Sequence, residues 1–142
     1  MSAPQGRPAE GYTGDLTVQE AWEAVAGGAA VLVDVRTDAE WRYVGVPDLS
    51  DLQAELGLVE WVSAQGEVNP EFTDEVDRLA QGRPVMFLCR SGQRSVSAAR
   101  AVTAAGRGPA YNVLDGFEGG LDSSGHRGST GWRAEGLPWR QS

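Results

Sequence analysis

Three short, nearly continuous apolar runs stand out along the chain, at residues 30–35, 84–88 and 110–114. Runs of this length are typical of parallel strands that are buried on both faces. A weaker run at residues 58–62 predicts a further short strand.

Helical periodicity occupies the segments between these runs. Thr17, with Glu20 three residues later, forms a capping box, and apolar residues follow at the spacing of one helical face. A short helix is predicted over residues 38–43, and another from Asn69, which precedes a proline at the first helical position. The alanine-rich segment after Ser95 predicts a fourth helix, with Ser95 as its N-cap. Strands that alternate with helices predict an α/β protein with a mostly parallel sheet.

Cysteine occurs once in the 142 residues, on the turn between the run at 84–88 and the helix that follows. Ligands bind beyond the carboxyl ends of parallel strands, and Cys89 lies at such an end. Gly92 lets the chain curl so that several backbone N–H groups point at one spot, which makes an anion-binding nest. Arg90 and Arg94 flank this nest. N–H groups and guanidinium charges both favour the thiolate, so Cys89 can act as a nucleophile without a base such as the distant His126, which is expected at the surface.

This loop resembles the active-site loop of rhodanese-family sulfurtransferases. Two further stretches resemble signatures of that family: residues 32–41, with Asp34, Arg36 and Trp41, and residues 112–138. Together they cover most of residues 16–139. The resemblance implies the rhodanese-like fold, a central mostly parallel five-stranded sheet flanked by helices on both faces.

The resemblance also implies a mechanism. A sulfane sulfur moves from a donor such as thiosulfate to Cys89, which becomes a persulfide, and then to cyanide or a thiol. The donor is a small anion, the thiol is a small molecule or a thioredoxin-like protein, and no cofactor or metal is expected. Asp34 and Arg36 are expected to form an ion pair that supports the loop. The residues expected to bind substrate are Arg90, Ser91, Gly92, Gln93, Arg94 and Ser95.

Other functions are open for the same fold. Related phosphatase-type or arsenate-reducing enzymes use a similar loop, but the phosphatases carry five residues between cysteine and arginine, whereas sulfurtransferases carry four. Four residues separate Cys89 from Arg94. Some rhodanese-like domains lack the cysteine and act only as binding modules, and the presence of Cys89, Gly92 and Arg94 argues against that.

Length and composition indicate the number of domains, the kinds of partner and the location of the protein. The length predicts one domain over residues 15–142, preceded by a flexible arm over residues 1–14 that is rich in Gly and Pro. A net charge of −8, with no lysine, argues against binding to nucleic acid or an acidic membrane. The first eight residues lack the apolar segment of a secretory signal, so a cytoplasmic location is expected. Residues 119–130 look like an insertion that walls the pocket and selects the sulfur acceptor.

Overall fold

The computed structural model describes residues 6–141. Its α-helices are α1 (Val18–Ala26), α2 (Asp38–Tyr43), α3 (Phe72–Ala80) and α4 (Arg94–Ala104), and a 3-10 turn spans Ser50–Leu52. Its strands are β1 (Arg7–Pro8), β2 (Gly14–Leu16), β3 (Val31–Asp34), β4 (Val46–Pro47), β5 (Gly57–Leu58), β6 (Val85–Leu88), β7 (Ala110–Val113) and β8 (Trp139–Arg140).

The central sheet has six strands in the order β1-β2-β7-β6-β3-β5, and only the pairing of β1 with β2 is antiparallel. The predicted mostly parallel sheet is therefore confirmed, but the predicted number of five strands is wrong. The two strands that the apolar runs did not predict are β1 and β2, which lie together at one edge. Strands β4 and β8 form a separate antiparallel pair.

The N-terminal segment differs from its prediction as an arm outside the domain. Arg7 and Pro8 pair with Asp15 and Gly14 of β2, so these residues belong to the central sheet. A proline is tolerated there because an edge strand does not need every backbone N–H. The part of the predicted arm at residues 1–5 lies outside the described residues.

Hydrophobic side chains cover both faces of the sheet. On one face, Ala21 and Val25 of α1 pack with Leu32, Met86 and other buried residues. On the opposite face, α3 and α4 pack against the alternate residues of β3, β6 and β7. The prediction of helices on both faces is confirmed. Among the described residues, no helix combines the length and the apolar character needed to cross a membrane.

Helix starts follow the local sequence in two cases and depart from it in two. Both α1 and α2 begin at complete capping boxes. Helix α3 begins after Glu71 because the Asn69 side chain instead accepts the N–H of Glu71 in a turn. Helix α4 already includes Ser95, which was predicted to be its N-cap; its side chain faces the core and serves the active-site loop.

Candidate active site

The sulfur of Cys89 lies at the base of the loop between β6 and α4. The residue is 1% exposed. The backbone N–H of Gly92 donates to the Cys89 Sγ over 3.1 Å, and the Ser95 Oγ lies 3.2 Å from the same sulfur. Gly92 has a φ of +106°, which a residue with a Cβ adopts only under strain. The curl predicted at Gly92 therefore exists and brings a peptide dipole onto the sulfur, beside the N-terminus of an eleven-residue helix.

The outer side of this loop is held by the chain that follows β7. The Phe117 N–H donates to the Cys89 carbonyl over 2.8 Å, and the N–H groups of Glu118 and Gly119 donate to the Arg90 carbonyl over 3.0 and 3.2 Å. A Cβ at Gly116 would overlap the Cys89 carbonyl oxygen, so only glycine permits this close approach. The loop is thus shaped mainly by backbone contacts.

Arg94 is bound to Glu40 of α2. Its two terminal nitrogens donate to the two carboxylate oxygens over 2.7 and 2.9 Å. Burial raises the pKa of the Glu40 carboxyl, but hydrogen bonds from Arg94 and Thr37 and the Arg94 charge outweigh burial and lower it to about 2. These contacts tie the loop to α2, and they support a shape-holding role for Arg94, which the sequence had placed among the substrate-binding residues.

Asp34 and Arg36 form a fully buried ion pair behind the loop. The Arg36 Nε lies 3.0 and 3.1 Å from the two Asp34 oxygens, and Nη2 lies 2.7 Å from one of them. Nη2 also donates to the Gly45 carbonyl, and the guanidinium stacks 4.3 Å from the centroid of the Phe117 ring. Phe117 also donates its N–H to the Cys89 carbonyl, so the ion pair contacts a residue that holds the loop. Its role in supporting the loop stays a prediction.

The remaining predicted site residues lie toward the surface. The Arg90 side chain is exposed and forms no ion pair within the described residues, and Ser91 is half-buried while Gln93 is exposed. In the 119–130 segment, His126 is exposed and its N–H is held by Asp122. Arg127 donates to the Gly119 carbonyl. This segment is therefore joined to the active-site loop through Gly119, whose N–H binds Arg90.

Two residues near the loop were not predicted from the sequence as part of the site. Asn112 accepts the Ser95 hydroxyl through Oδ1 over 2.5 Å, and Glu40 holds Arg94. Asn112 carries a detectable signal, because an amide inside the apolar run of β7 needs a buried partner. Glu40 carries no such signal, since its place in the capping box with Thr37 already accounts for a glutamate at this position. No cluster of three or more His, Cys, Asp or Glu side chains suited to a metal ion occurs in residues 6–141.

A mostly parallel α/β sheet with a buried cysteine on a glycine-curled turn, where a backbone N–H donates to the sulfur, defines the class of protein. The family model of the rhodanese-like domain matches residues 17–123, and the chain belongs to this family.

Two relatives share much of the sequence. A curated protein of Rickettsia conorii, described as uncharacterized, is 35% identical over 82% of this chain and 87% of its own length. The crystal structure of Rv0390 from M. tuberculosis is 60% identical, with a TM-score of 0.84, and the match covers 92% of this chain and 99% of that one.

A more distant structure shares the fold alone. It is a protein of unknown function from Rhodopseudomonas palustris, described as a possible tyrosine phosphatase. It is 22% identical, with a TM-score of 0.55 over 89% of this chain and 83% of that one. A shared fold does not imply a shared function.

Proposed function

We propose that this protein is a sulfurtransferase that works by double displacement through Cys89. The Cys89 thiolate attacks the sulfane sulfur of thiosulfate, the sulfur–sulfur bond of the donor breaks, and sulfite leaves with the electron pair. Cyanide or a thiolate then attacks the outer sulfur of the persulfide. The second step releases thiocyanate or a new persulfide and restores the Cys89 thiolate.

One observation carries the proposal: the N–H of Gly92 donates to the Cys89 sulfur within a loop of only four intervening residues. A donor at this place stabilises negative charge on the cysteine sulfur, as backbone donors do in an oxyanion hole. The loop is short, and the Gly92 donor suits a single sulfur atom carried on Cys89.

The leaving sulfite needs a positive charge of its own. Arg94 is occupied by Glu40, which leaves Arg90 as the loop cation that can bind a departing oxyanion. The high negative charge of the whole chain makes this local cation more important for a small anionic donor. Arg94 then acts by keeping the loop in shape.

Loop length separates sulfur transfer from phosphoryl transfer. One further residue would move the N–H donors outward by up to roughly 3.3 Å if the residue were fully extended. Each misplaced donor of an oxyanion-type site costs about 2.7–4 kcal/mol of transition-state stabilisation. A tetrahedral phosphoryl group needs several donors at once, so the short loop disfavours it strongly.

The proposal extends to partners and compartment. The donor is a small sulfur anion, and the acceptor is a small thiol or a thioredoxin-like protein. We place the reaction in the cytoplasm, since a reducing compartment keeps a single cysteine free.

The test compares two activities of the same protein. We expect thiosulfate:cyanide transfer, one added sulfur in the intact mass after thiosulfate treatment, and aryl-phosphate hydrolysis at background. The variant Cys89→Ser should fold and lose both the transfer and the added sulfur. An Arg78→Gln variant serves as the matched control for Arg90→Gln, because both remove one exposed arginine, Arg78 lies on α3, and only Arg90→Gln should slow the first step.

Two results would overturn the proposal. One is phosphatase turnover by the native chain comparable to its sulfur transfer. The other is the absence of any persulfide on a folded native protein, which would favour the binding-module alternative.

A further inference from the structure

A continuous series of side-chain hydrogen bonds connects the N-terminal segment to Cys89. The Tyr12 hydroxyl donates to the Asp15 Oδ1 over 2.7 Å, and the Asn112 Nδ2 donates to the same oxygen over 2.9 Å. The Ser95 hydroxyl meets the Asn112 Oδ1 at 2.5 Å, and its oxygen lies 3.2 Å from the Cys89 Sγ. We call these five residues the polar chain. It crosses from β2 to β7, to α4 and to the active-site loop.

Each hydrogen bond of the polar chain has a defined donor and acceptor, beginning at Asp15. An ionised carboxylate only accepts hydrogen bonds, so the amide group of Asn112 must turn its NH₂ toward Asp15 and its carbonyl toward Ser95. Burial, and then the hydrogen bond to Asp15, raise the pKa of Tyr12 to about 12. Its hydroxyl therefore stays protonated and donates to Asp15 near neutral pH.

The Ser95 hydroxyl has one proton and two neighbours. The Asn112 Oδ1 cannot donate, so the 2.5 Å contact requires the Ser95 proton. The contact between Ser95 and Cys89 must then use the thiol proton, donated from sulfur to oxygen. Ser95 and Asn112 are 0% and 2% exposed, so solvent does not relieve this constraint.

We propose that Asn112, oriented by Asp15, is a positioning residue that turns the Ser95 hydroxyl proton away from the Cys89 sulfur and thereby favours the protonated thiol at rest. The inference rests on the proposed function only in taking Cys89 as the reactive group. When the sulfur ionises, Ser95 must rotate to donate to it, and the Asn112 carbonyl then loses its buried partner. The polar chain thus favours the thiol, whereas the hydrogen bond from the Gly92 N–H favours the thiolate.

Other charged groups lie on the elements around this thiol, and replacing Asn112 adds or removes no charge. They lie on the active-site loop, at the ends of β3 and β7, on α2 and α4, and on β2: Arg90, Arg94, Asp34, Arg36, Asp115, Glu40, Arg100 and Asp15. The replacement does remove the hydrogen bond from Asn112 to Asp15, so the same replacement in a Ser95→Ala protein is needed to isolate the effect of the hydroxyl.

The experiment is a pH titration of the thiolate by its ultraviolet absorbance, taken as the difference from the matching Cys89→Ser protein. Cys89 is the only thiol, and the subtraction cancels the tyrosines. In Asn112→Leu the freed Ser95 hydroxyl can donate to the sulfur anion, so the midpoint should fall by about one pH unit, equivalent to a tenfold gain in thiolate fraction below the midpoint. In a Ser95→Ala background, the same replacement of Asn112 should move the midpoint by less than about 0.3 units, because there is no hydroxyl to redirect.

Two further variants guard the interpretation. Asp15→Asn should also lower the midpoint, since an amide at position 15 can donate and lets Asn112 present its NH₂ to Ser95. The variant removes a negative charge as well, so it is compared with Asp15→Asn/Ser95→Ala, in which the charge is equally absent and the shift should be smaller; this comparison decides the matter if Asn112→Leu does not fold. Ser97→Ala, which removes an exposed hydroxyl from the same helix, should change nothing. An unchanged midpoint in Asn112→Leu, or an equal shift with and without Ser95, would overturn the inference. The titration needs no sulfur donor, so a protein that titrates as expected but transfers no sulfur would contradict the proposed function alone.

Discussion

The replacement Asp34→Asn should destabilise this protein severely without touching the loop directly. Asp34 and Arg36 are both 0% exposed, and the Asp34 oxygens take three hydrogen bonds from the Arg36 guanidinium and one from its backbone N–H. Arginine does not lose its proton in proteins, so the variant leaves an uncompensated buried cation. Breaking a buried pair in this way costs about 3–5 kcal/mol. That is a large part of the roughly 5–15 kcal/mol by which a domain is stable.

Urea unfolding followed by tryptophan fluorescence measures this loss, since Trp132 is fully buried. With a slope of about 2 kcal/mol/M, the midpoint should fall by roughly 1.5–2.5 M. The matched control is Asp38→Asn, which breaks the exposed pair with Arg42 and should cost about 0.5 kcal/mol or less. The double variant Asp34→Leu/Arg36→Met should recover most of the stability, because it removes both charges. A loss below about 1 kcal/mol in Asp34→Asn would refute this reasoning.

Two further predictions concern other supports of the site. Glu40, whose pKa is lowered from 4.5 to about 2, contributes stability that is fully present above pH 4.5 and is lost as the pH falls through 2. Glu40→Gln should therefore flatten the acid-unfolding curve between these values, and an unchanged slope would count against the contact. Gly116→Ala should abolish persulfide formation, because its Cβ would overlap the Cys89 carbonyl, whereas Gly125→Ala, at a similarly positive φ but with open space around it, should cost only about 1–2 kcal/mol. Equal effects of the two glycine replacements, read from persulfide mass and urea unfolding, would show that the clash does not matter.

Features that depend on neighbours in sequence were predictable. The capping box of Thr17 and Glu20 starts α1 where it was expected, since both partners lie within one helical turn. The turn at Cys89 follows equally from a strand signal, a glycine and a helix signal in succession. In these places local propensity and the fold agree.

Features that depend on partners distant in sequence could not be predicted. β1 is two residues long and has no apolar run, so only its pairing with β2 makes it a strand. The contact of Arg94 with Glu40 was not predicted, because Glu40 lies 54 positions earlier. Ser95 was predicted as a helix cap for the same reason, since the residue that accepts its hydroxyl proton, Asn112, lies on β7. The local pattern allows a serine either to cap a helix or to hydrogen-bond to a distant residue, and tertiary contacts decide between the two.

The backbone bonds that Phe117, Glu118 and Gly119 make to the carbonyls of Cys89 and Arg90 have a consequence for engineering. They fix the path of the loop without using its side chains. Positions 90, 91 and 93 can therefore be randomised together in a combinatorial library while Cys89 and the backbone around it remain in place. If the protein transfers sulfur as proposed, new donor or acceptor preferences can be selected at these three positions without a change in the backbone.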